Sequence, residues 1–325
     1  MICVTLAVMG QQVVSMQVIK GTEGVPPECK GAFVTIGNFD GVHLGHRHIF
    51  QRLIHEAQEE ERRAMLVTFV PHPKMVIHPE RRPFYLLTTI EEKIKLLEEM
   101  GIDSIILIPF TLHYAETTAE AFIKEVLWKN LQIRKIFIGH DYRFGKDKAG
   151  NKDLLAIYGK KLGFDVVVID AFSVGDTVIS STHIRKAILK GAVKQAALLL
   201  GRPYNVSGTV IEGKRRGSAM GFPTANIKPH KELLPARGVY AAIVNLEGER
   251  RQAVLNLGLN PTFGDVEISL EVHLMDFSGD IYGKHMEVQF IDRIREEQTF
   301  PGPEELSFQI KKDTDKARAI LKPYF

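Results

Sequence analysis

The sequence predicts an α/β domain built on a parallel sheet, followed by a small antiparallel β-barrel with a terminal helix. Three observations carry that expectation. The 325 residues exceed the usual size of one domain. Up to about residue 200, short apolar runs alternate with amphipathic helical patterns, which is the rhythm of βαβ crossovers. Beyond residue 203 the apolar period changes to two.

In the first part the strand candidates are residues 32–36, 65–70, 104–108, 135–138 and 165–169. Each is short, rich in Val, Ile or Phe, and nearly continuous, as a strand buried on both faces must be. Between them, residues 46–60 put Ile49, Leu53, Ile54 and Ala57 on one helical face. Residues 91–100, stopped by Gly101, and residues 118–129 read as further helices. A helical pair, 183–190 and 192–200, ends at Gly201 with Pro203 just beyond, a strong stop.

In the second part, residues 268–276 alternate. Ile268, Leu270, Val272 and Leu274 point one way; Ser269, Glu271, His273 and Met275 point the other. Residues 239–246, 251–257 and 287–291 also read as strands joined by Gly, Pro and Asn turns, and a helix over about 304–321 closes the chain. The expected division is an extension over residues 1–15, one domain over 16–203 and a second over 204–325.

Composition narrows the function. With 42 Lys+Arg against 39 Asp+Glu, the net charge of +3 argues against a broad nucleic-acid surface while allowing a local phosphate pocket. Two cysteines, Cys3 and Cys29, make neither a disulfide framework nor a four-thiolate zinc site. No run reaches the ~18 apolar residues that span a bilayer, and the first twenty residues lack the basic start and cleavage site of a signal peptide. The expected location is the cytoplasm.

The first strand runs into GNFDGVHLGH, residues 37–46, and then into a helix. Gly37, Gly41 and Gly45 let the backbone turn tightly and approach a ligand. His43 and His46, three apart, project from one face of a helix's opening turn, where free N–H groups and the helix dipole favour phosphate. Two imidazoles there suit charge developing on an α-phosphate and a departing pyrophosphate. His72, between Pro71 and Pro73, is held on a stiff turn. Asp141 and Phe144 offer a carboxylate for a ribose or adenine group and a ring for stacking. Ser181 and Thr182 are helix-cap residues, and Arg185 suits bidentate phosphate binding.

Taken together these segments resemble a known family. GNFDGVHLGH is similar to the G-x-F-D-G-x-H-x-G-H signature of nucleotidylyltransferases, in particular the adenylyltransferase half of bacterial bifunctional riboflavin kinase/FAD synthetases. FVPHP (69–73), GHDYRFG (139–145) and ISSTHIR (179–185) resemble three further motifs of that family, in the same order. The resemblance implies a Rossmann-like nucleotidylyltransferase domain with Phe39, Asp40 and Pro73 beside nucleotide and flavin.

The second part carries GFPTANI, residues 221–227, after the basic stretch 212–221. GTVIEGKR (208–215) nearly fits a P-loop, but Arg215 stands where the Ser or Thr must be, so a P-loop is rejected. PTAN resembles the riboflavin kinase signature. By that resemblance Thr224 and Asn226 hold the Mg²⁺ of MgATP, and hard oxygen donors of this kind suit Mg²⁺. The same likeness places Gly213, Lys214, Gly217, Gly221, Pro223, Asn256 and Arg293 around nucleotide or flavin, and Arg215 and Arg216 near phosphate. GVYAA (238–242), NLGLNPTFG (256–264) and RIREEQTF (293–300) match in order. Glu271 stands at the family's catalytic glutamate, positioned to accept the proton of riboflavin's 5′-hydroxyl. The sequence departs from the family pattern at Glu212, where His is common, and at Ser218, where Arg is common.

The resemblance, over roughly residues 16–325, implies a transferase with ATP, riboflavin and FMN as substrates, no nucleic-acid or membrane partner, and room for transient self-association. The rivals are a nucleotidylyltransferase acting on another phosphate ester, a binding protein without turnover, and an aminoacyl-tRNA synthetase-like role. The PTAN half opposes the first. The near-neutral charge and the absence of an anticodon-binding segment oppose the last.

Overall fold

The structure, a computed structural model, describes residues 15–175, 177–212, 222–261 and 266–325. The chain divides into two compact units. The first takes the described residues through Phe39, then Arg47–Pro79 and Ile90–Ala171; the second takes Asp40–His46, Glu80–Thr89 and Phe172–Phe325. These units do not follow a single cut near residue 203. The barrel's unit also holds the helical pair before it and two segments drawn from earlier in the chain.

The first unit is built on a six-stranded parallel sheet in the order β1-β4-β3-β2-β5-β6, from β1 (Gln17–Lys20), β2 (Phe33–Ile36), β3 (Ala64–Val70), β4 (Ser104–Pro109), β5 (Lys135–Gly139) and β6 (Asp165–Ile169). Five of these are the expected strands; β1 is an addition. Strand β2 is buried at all four positions, as its continuous apolar run demands. Val34, Ile36, Met65, Val67, Ile106 and Ile136 face one side of the sheet and pack with Phe122, Ile123, Val126 and Leu127. On the other side Phe33 meets Phe137, ring centroids 6.0 Å apart.

The helices are α1 (Leu44–Glu59), α2 (Pro73–Ile77), α3 (Ile90–Glu99), α4 (Leu112–Ala115), α5 (Ala119–Ala121) and α6 (Lys152–Leu162). The single helix expected over 118–129 is a short α-turn, α5, continued by a π-helix over Phe122–Asn130. Its wider turns show in the bond from the Leu131 amide to the Val126 carbonyl, 3.0 Å. Helix α6 was not expected, although Asn151 caps its start and Gly163, at φ 81°, its end.

In the second unit, residues 173–174 (β7) and 177–178 (β8) form a two-stranded ribbon, and α7 (Ser181–Leu189) and α8 (Val193–Leu200) follow. Then β9 (Tyr204–Ile211), β10 (Ala225–Pro229), β11 (Gly238–Leu246), β12 (Glu249–Pro261), β13 (Val266–Leu274) and β14 (His285–Arg295) close an antiparallel barrel in the order β10-β13-β12-β11-β14-β9. The barrel interior is Val206, Ala225, Ile227, Tyr240, Leu255, Leu257, Leu270, Val272 and Phe290, among others. Helix α9 (Pro303–Leu321) packs Ala317 and Leu321 against Val239, Ala241, Ile243 and Met275 on the outer wall. Strand β13 points Leu270, Val272 and Leu274 inward, while Met275, the residue just after it, serves the helix side. Ile268, expected inward, is 52% exposed.

Candidate active sites

The decapeptide 37–46 begins in the first unit and passes into the second between Phe39 and Asp40. Its turn is strained. Phe39 and Val42 adopt φ of 45° and 42°, which a β-branched residue such as Val42 accepts only under constraint. The constraint is Arg202, whose guanidinium donates to the carbonyls of Gly41 (2.9 Å) and Val42 (3.2 Å). Gly41 lies at φ 91°, and a Cβ there would fall 2.7 Å from Leu87 Cδ1. Only glycine fits.

Asp40 is the centre of this turn. It is buried, its carboxylate accepts from the amides of Leu87 (3.0 Å) and Thr88 (3.2 Å), and it is ion-paired with Arg185. Arg185 Nε also donates to the Tyr85 carbonyl at 2.7 Å. The Gly41 amide donates to Thr88 Oγ1, 3.1 Å, and Ser181 Oγ to the Asp40 carbonyl, 2.9 Å. Arg185, expected to meet phosphate, therefore has a protein carboxylate for partner here. The helix cap expected at Ser181 or Thr182 is Ser180, whose side chain accepts from the His183 amide. Thr182 is exposed.

His43 and His46 do come together. Their rings stack with centroids 3.5 Å apart and 19° between planes. The His46 amide donates to His43 Nδ1, 3.3 Å, which leaves the ring proton on Nε2. Burial pushes the His43 imidazole down to about 4, against the opposing pull of Asp40. At neutral pH His43 is an uncharged N–H donor at the start of α1, beside Gly45 and the positive end of the helix dipole.

In the first unit, Gly37, His72 and Asp141 follow the ends of β2, β3 and β5, so parallel pairing gathers them along one edge of the sheet. That carboxyl-end edge is where open α/β sheets bind ligands. His72 Nδ1 accepts from the Lys74 amide, 3.2 Å, and Pro73 opens α2. Asp141 is exposed. Phe144 corrects an expectation. Its ring is buried, stacked on Tyr142 at 5.5 Å and packed against Phe122 at 5.6 Å, so it serves the core of this unit rather than standing open for a ligand.

On the barrel, register alone assembles the second group. Glu271 of β13 lies opposite Asn226 of β10 on one side and Asn256 of β12 on the other. All three alternate with inward residues, so all face outward in one row. Ser269 Oγ donates to Glu271 Oε1 (3.1 Å) and approaches Asn226 Oδ1 (3.5 Å). His273 Nδ1 lies 2.9 Å from the Pro223 carbonyl, and Thr224 is half-buried next to Ala225. Arg293 is turned to the Arg237 carbonyl (2.5 Å) and to Glu296 (3.6 Å). Gly213, Lys214, Arg215, Arg216, Gly217, Ser218 and Gly221 lie outside the described residues.

Two family models match this chain: one described as FAD synthetase over residues 25–183, and one described as riboflavin kinase over residues 200–321. The bifunctional riboflavin kinase/FMN adenylyltransferase of Haemophilus influenzae is 38% identical over 307 residues, covering 94% of this chain and 99% of that protein. The chain belongs to the bifunctional riboflavin kinase/FMN adenylyltransferase family. The enzyme of that description from Escherichia coli is also 38% identical, over 94% of this chain and 98% of its own length. A solved structure from Streptococcus pneumoniae, described as a macrolide-efflux protein, superposes with a TM-score of 0.85 at 32% identity, covering 93% of this chain and 99% of that one. Among the described residues here, no helix is long and apolar enough to cross a membrane.

As a member of this family the chain phosphorylates riboflavin to FMN with ATP through its C-terminal part. Its N-terminal part adenylylates FMN to FAD with ATP, releasing pyrophosphate. Sequence reasoning found the two family motifs, GNFDGVHLGH and PTAN. It missed Arg202, Thr88 and the Leu87 amide, which hold the turn. No spacing signals them, because they come from distant segments and act largely through backbone atoms.

Proposed function

We propose that adenylyl transfer is carried by His43 and His46 on the strained turn, and phosphoryl transfer by Glu271 in its row of asparagines. The observation that supports the first most is the neutral, buried His43 with its proton on Nε2. In adenylyl transfer an oxygen of the FMN phosphate bonds to the α-phosphorus of ATP, and the bond from that phosphorus to the bridging oxygen breaks. The nucleophile is already an anion, so no general base is needed. What helps is a donor for the oxygens that gain charge. An Nε2–H and the first amides of α1 supply that without the cost of burying an imidazolium.

In the kinase step the 5′-hydroxyl oxygen of riboflavin bonds to the γ-phosphorus, ADP leaves, and the hydroxyl proton passes to a carboxylate. Glu271 is the carboxylate for that proton, and Ser269 fixes its Oε1. Thr224 Oγ1 and Asn226 Oδ1 are the hard oxygen donors for Mg²⁺, and their chemistry fits that ion. Among the described residues no cluster of His, Cys, Asp and Glu offers a rival metal site. The ion screens the phosphate charge of ATP. Asn256, Pro223, Arg293 and the 213–221 segment serve the kinase step in this reading; by the family resemblance Gly37, Phe39, His72, Pro73 and Asp141 of the first unit, and Ser181, Thr182 and Arg185 of the second, serve adenylyl transfer.

The functional division runs over residues 16–203 and 204–325, which the two family matches support. ATP, riboflavin and FMN are the small-molecule partners. A cytoplasmic location suits two ATP-dependent steps, and cell fractionation followed by activity assay tests it.

A chromatographic time course tests the two roles. Glu271→Ala should lower FMN formation from riboflavin by about 10²–10⁴-fold, the usual weight of a general base, and leave FAD formation from supplied FMN intact. His43→Ala should do the reverse. A folded single variant that stops both reactions sinks the assignment.

A further inference from the structure

The first unit carries a cleft lined by none of the residues assigned to either transfer. It has a volume of about 590 Å³ and is lined by Arg62, Trp128, Lys129, Gln132, Arg134 and Gly163, with Ile133 and Leu162 as apolar floor. Arg62 lies just before β3, Gln132 and Arg134 just before β5, and Gly163 just before β6. The cleft is therefore at the amino-terminal edge of the parallel sheet, the opposite end from Gly37, His72 and Asp141. The length of β5, five residues, separates the two edges by roughly 15 Å.

The lining has a definite chemistry. Among the described residues it holds three cations and no carboxylate. Lys129 is partly neutralised by Glu125, 2.8 Å away on the same helix. Arg134 donates to the Gly163 carbonyl at 3.3 Å with one nitrogen and keeps its other donors. Arg62 Nη1 lies beside the Gly31 backbone, 3.4 Å from where a Cβ would stand. Each guanidinium offers a planar fork of donors that suits the oxygens of a phosphate. Beside them Trp128, the only tryptophan of the chain, is 48% exposed. It sits on the π-helix, a backbone form concentrated at functional sites. An open indole next to cations suits a flat ring carrying negative charge.

We propose that this cleft binds an aromatic phosphate, with its ring stacked on Trp128 and its phosphate on Arg62 and Arg134, as a site separate from both transfer centres. The volume lies within the range of small-molecule sites. ATP, ADP, FMN and FAD, the aromatic phosphates of the two reactions, all have this chemistry.

The single tryptophan makes the test direct. Full-length protein is excited at the red edge of the protein band, where only Trp128 absorbs, and titrated with AMP and with FMN (corrected for absorption), and with adenosine, ribose 5-phosphate and a short single-stranded RNA. Saturable quenching by AMP or FMN is expected. Adenosine and ribose 5-phosphate, each with half of the chemistry, should bind at least tenfold more weakly. Arg62→Ala with Arg134→Ala should abolish the quenching while FMN and FAD formation at saturating substrate keep their rates. Three results overturn the proposal. Quenching that survives the double variant means Trp128 senses a transfer site. No quenching by any phosphate means a solvated basic surface. RNA binding far tighter than AMP means the cleft belongs to a polymer.

Discussion

His43 is a histidine whose burial decides its chemistry. An imidazole in water holds its proton near 6.5, and here burial lowers that to about 4. The folded protein thus binds fewer protons at this ring than the unfolded chain between those two values. The stability linked to His43 is therefore fully present above about pH 6.5 and is lost as pH falls toward 4, with a slope of at most about 1.4 kcal/mol per pH unit. Two outcomes are expected. FAD formation from FMN should show no inflection from His43 near 6.5 and should fall only as pH approaches 4. Denaturant melts from pH 7 to 4.5 should lose stability more steeply in the native protein than in His43→Gln. Equal slopes in both proteins would mean that the ring is not held neutral. Glu271 is the opposite kind of residue, half-buried at the barrel surface and chosen by register, with Asn226 and Asn256 on either side.

At the scale of elements, the segment Glu80–Thr89 forms no helix or strand yet positions the Asp40 turn. Its Leu87 and Thr88 amides fix Asp40, and its Tyr85 carbonyl holds Arg185. The segment is itself held by Lys231, a buried lysine just after β10. Lys231 Nζ donates to the Leu87 carbonyl at 3.1 Å and lies 4.7 Å from the centre of the Tyr204 ring. Lys231→Met keeps the stem and removes the donor, leaving that carbonyl unpaired at a cost of about 1–3 kcal/mol. FAD formation should then fall more than FMN formation, assayed well below the melting temperature. A parallel fall in both rates, tracking melting temperature, would make Lys231 a stability residue only. Little of this was legible in the sequence. Strands β2 to β6 were, because strands buried on both faces leave continuous apolar runs. Strand β1 was not, since QVIK has only four residues and is half exposed. Strand β9 alternates well, but Gly208 breaks the apolar pattern in its middle. Both groups proposed to react were legible as motifs, because chemistry restricts residue types. The support around Asp40 was not, because a backbone amide can be supplied by any residue.

At the scale of the whole molecule, the proposed functional division and the folding unit do not coincide. The kinase reading begins at residue 204, yet one hydrophobic core joins Val206, Val210, Leu255 and Phe290 of the barrel to Ile184, Ile188, Val193, Ala196, Leu199 and Leu200 of α7 and α8. Gly191, at φ 74°, turns between those helices against Tyr240 and Arg293; a Cβ there would lie 2.9 Å from the Tyr240 hydroxyl. Each buried Leu, Ile or Val contributes about 1.5–3 kcal/mol. Losing Ile184, Ile188, Val193, Leu199 and Leu200 therefore removes an amount comparable with the ~5–15 kcal/mol net stability of a domain. A fragment of residues 172–325 should melt cooperatively and keep FMN formation. A fragment of residues 204–325 should melt at least 10 °C lower or fail to fold, with its exposed core face binding a hydrophobic dye. Calorimetry of the two side by side decides it. Equal melting temperatures would mean that the helical pair adds nothing to the barrel and that the folding boundary lies near residue 203 after all.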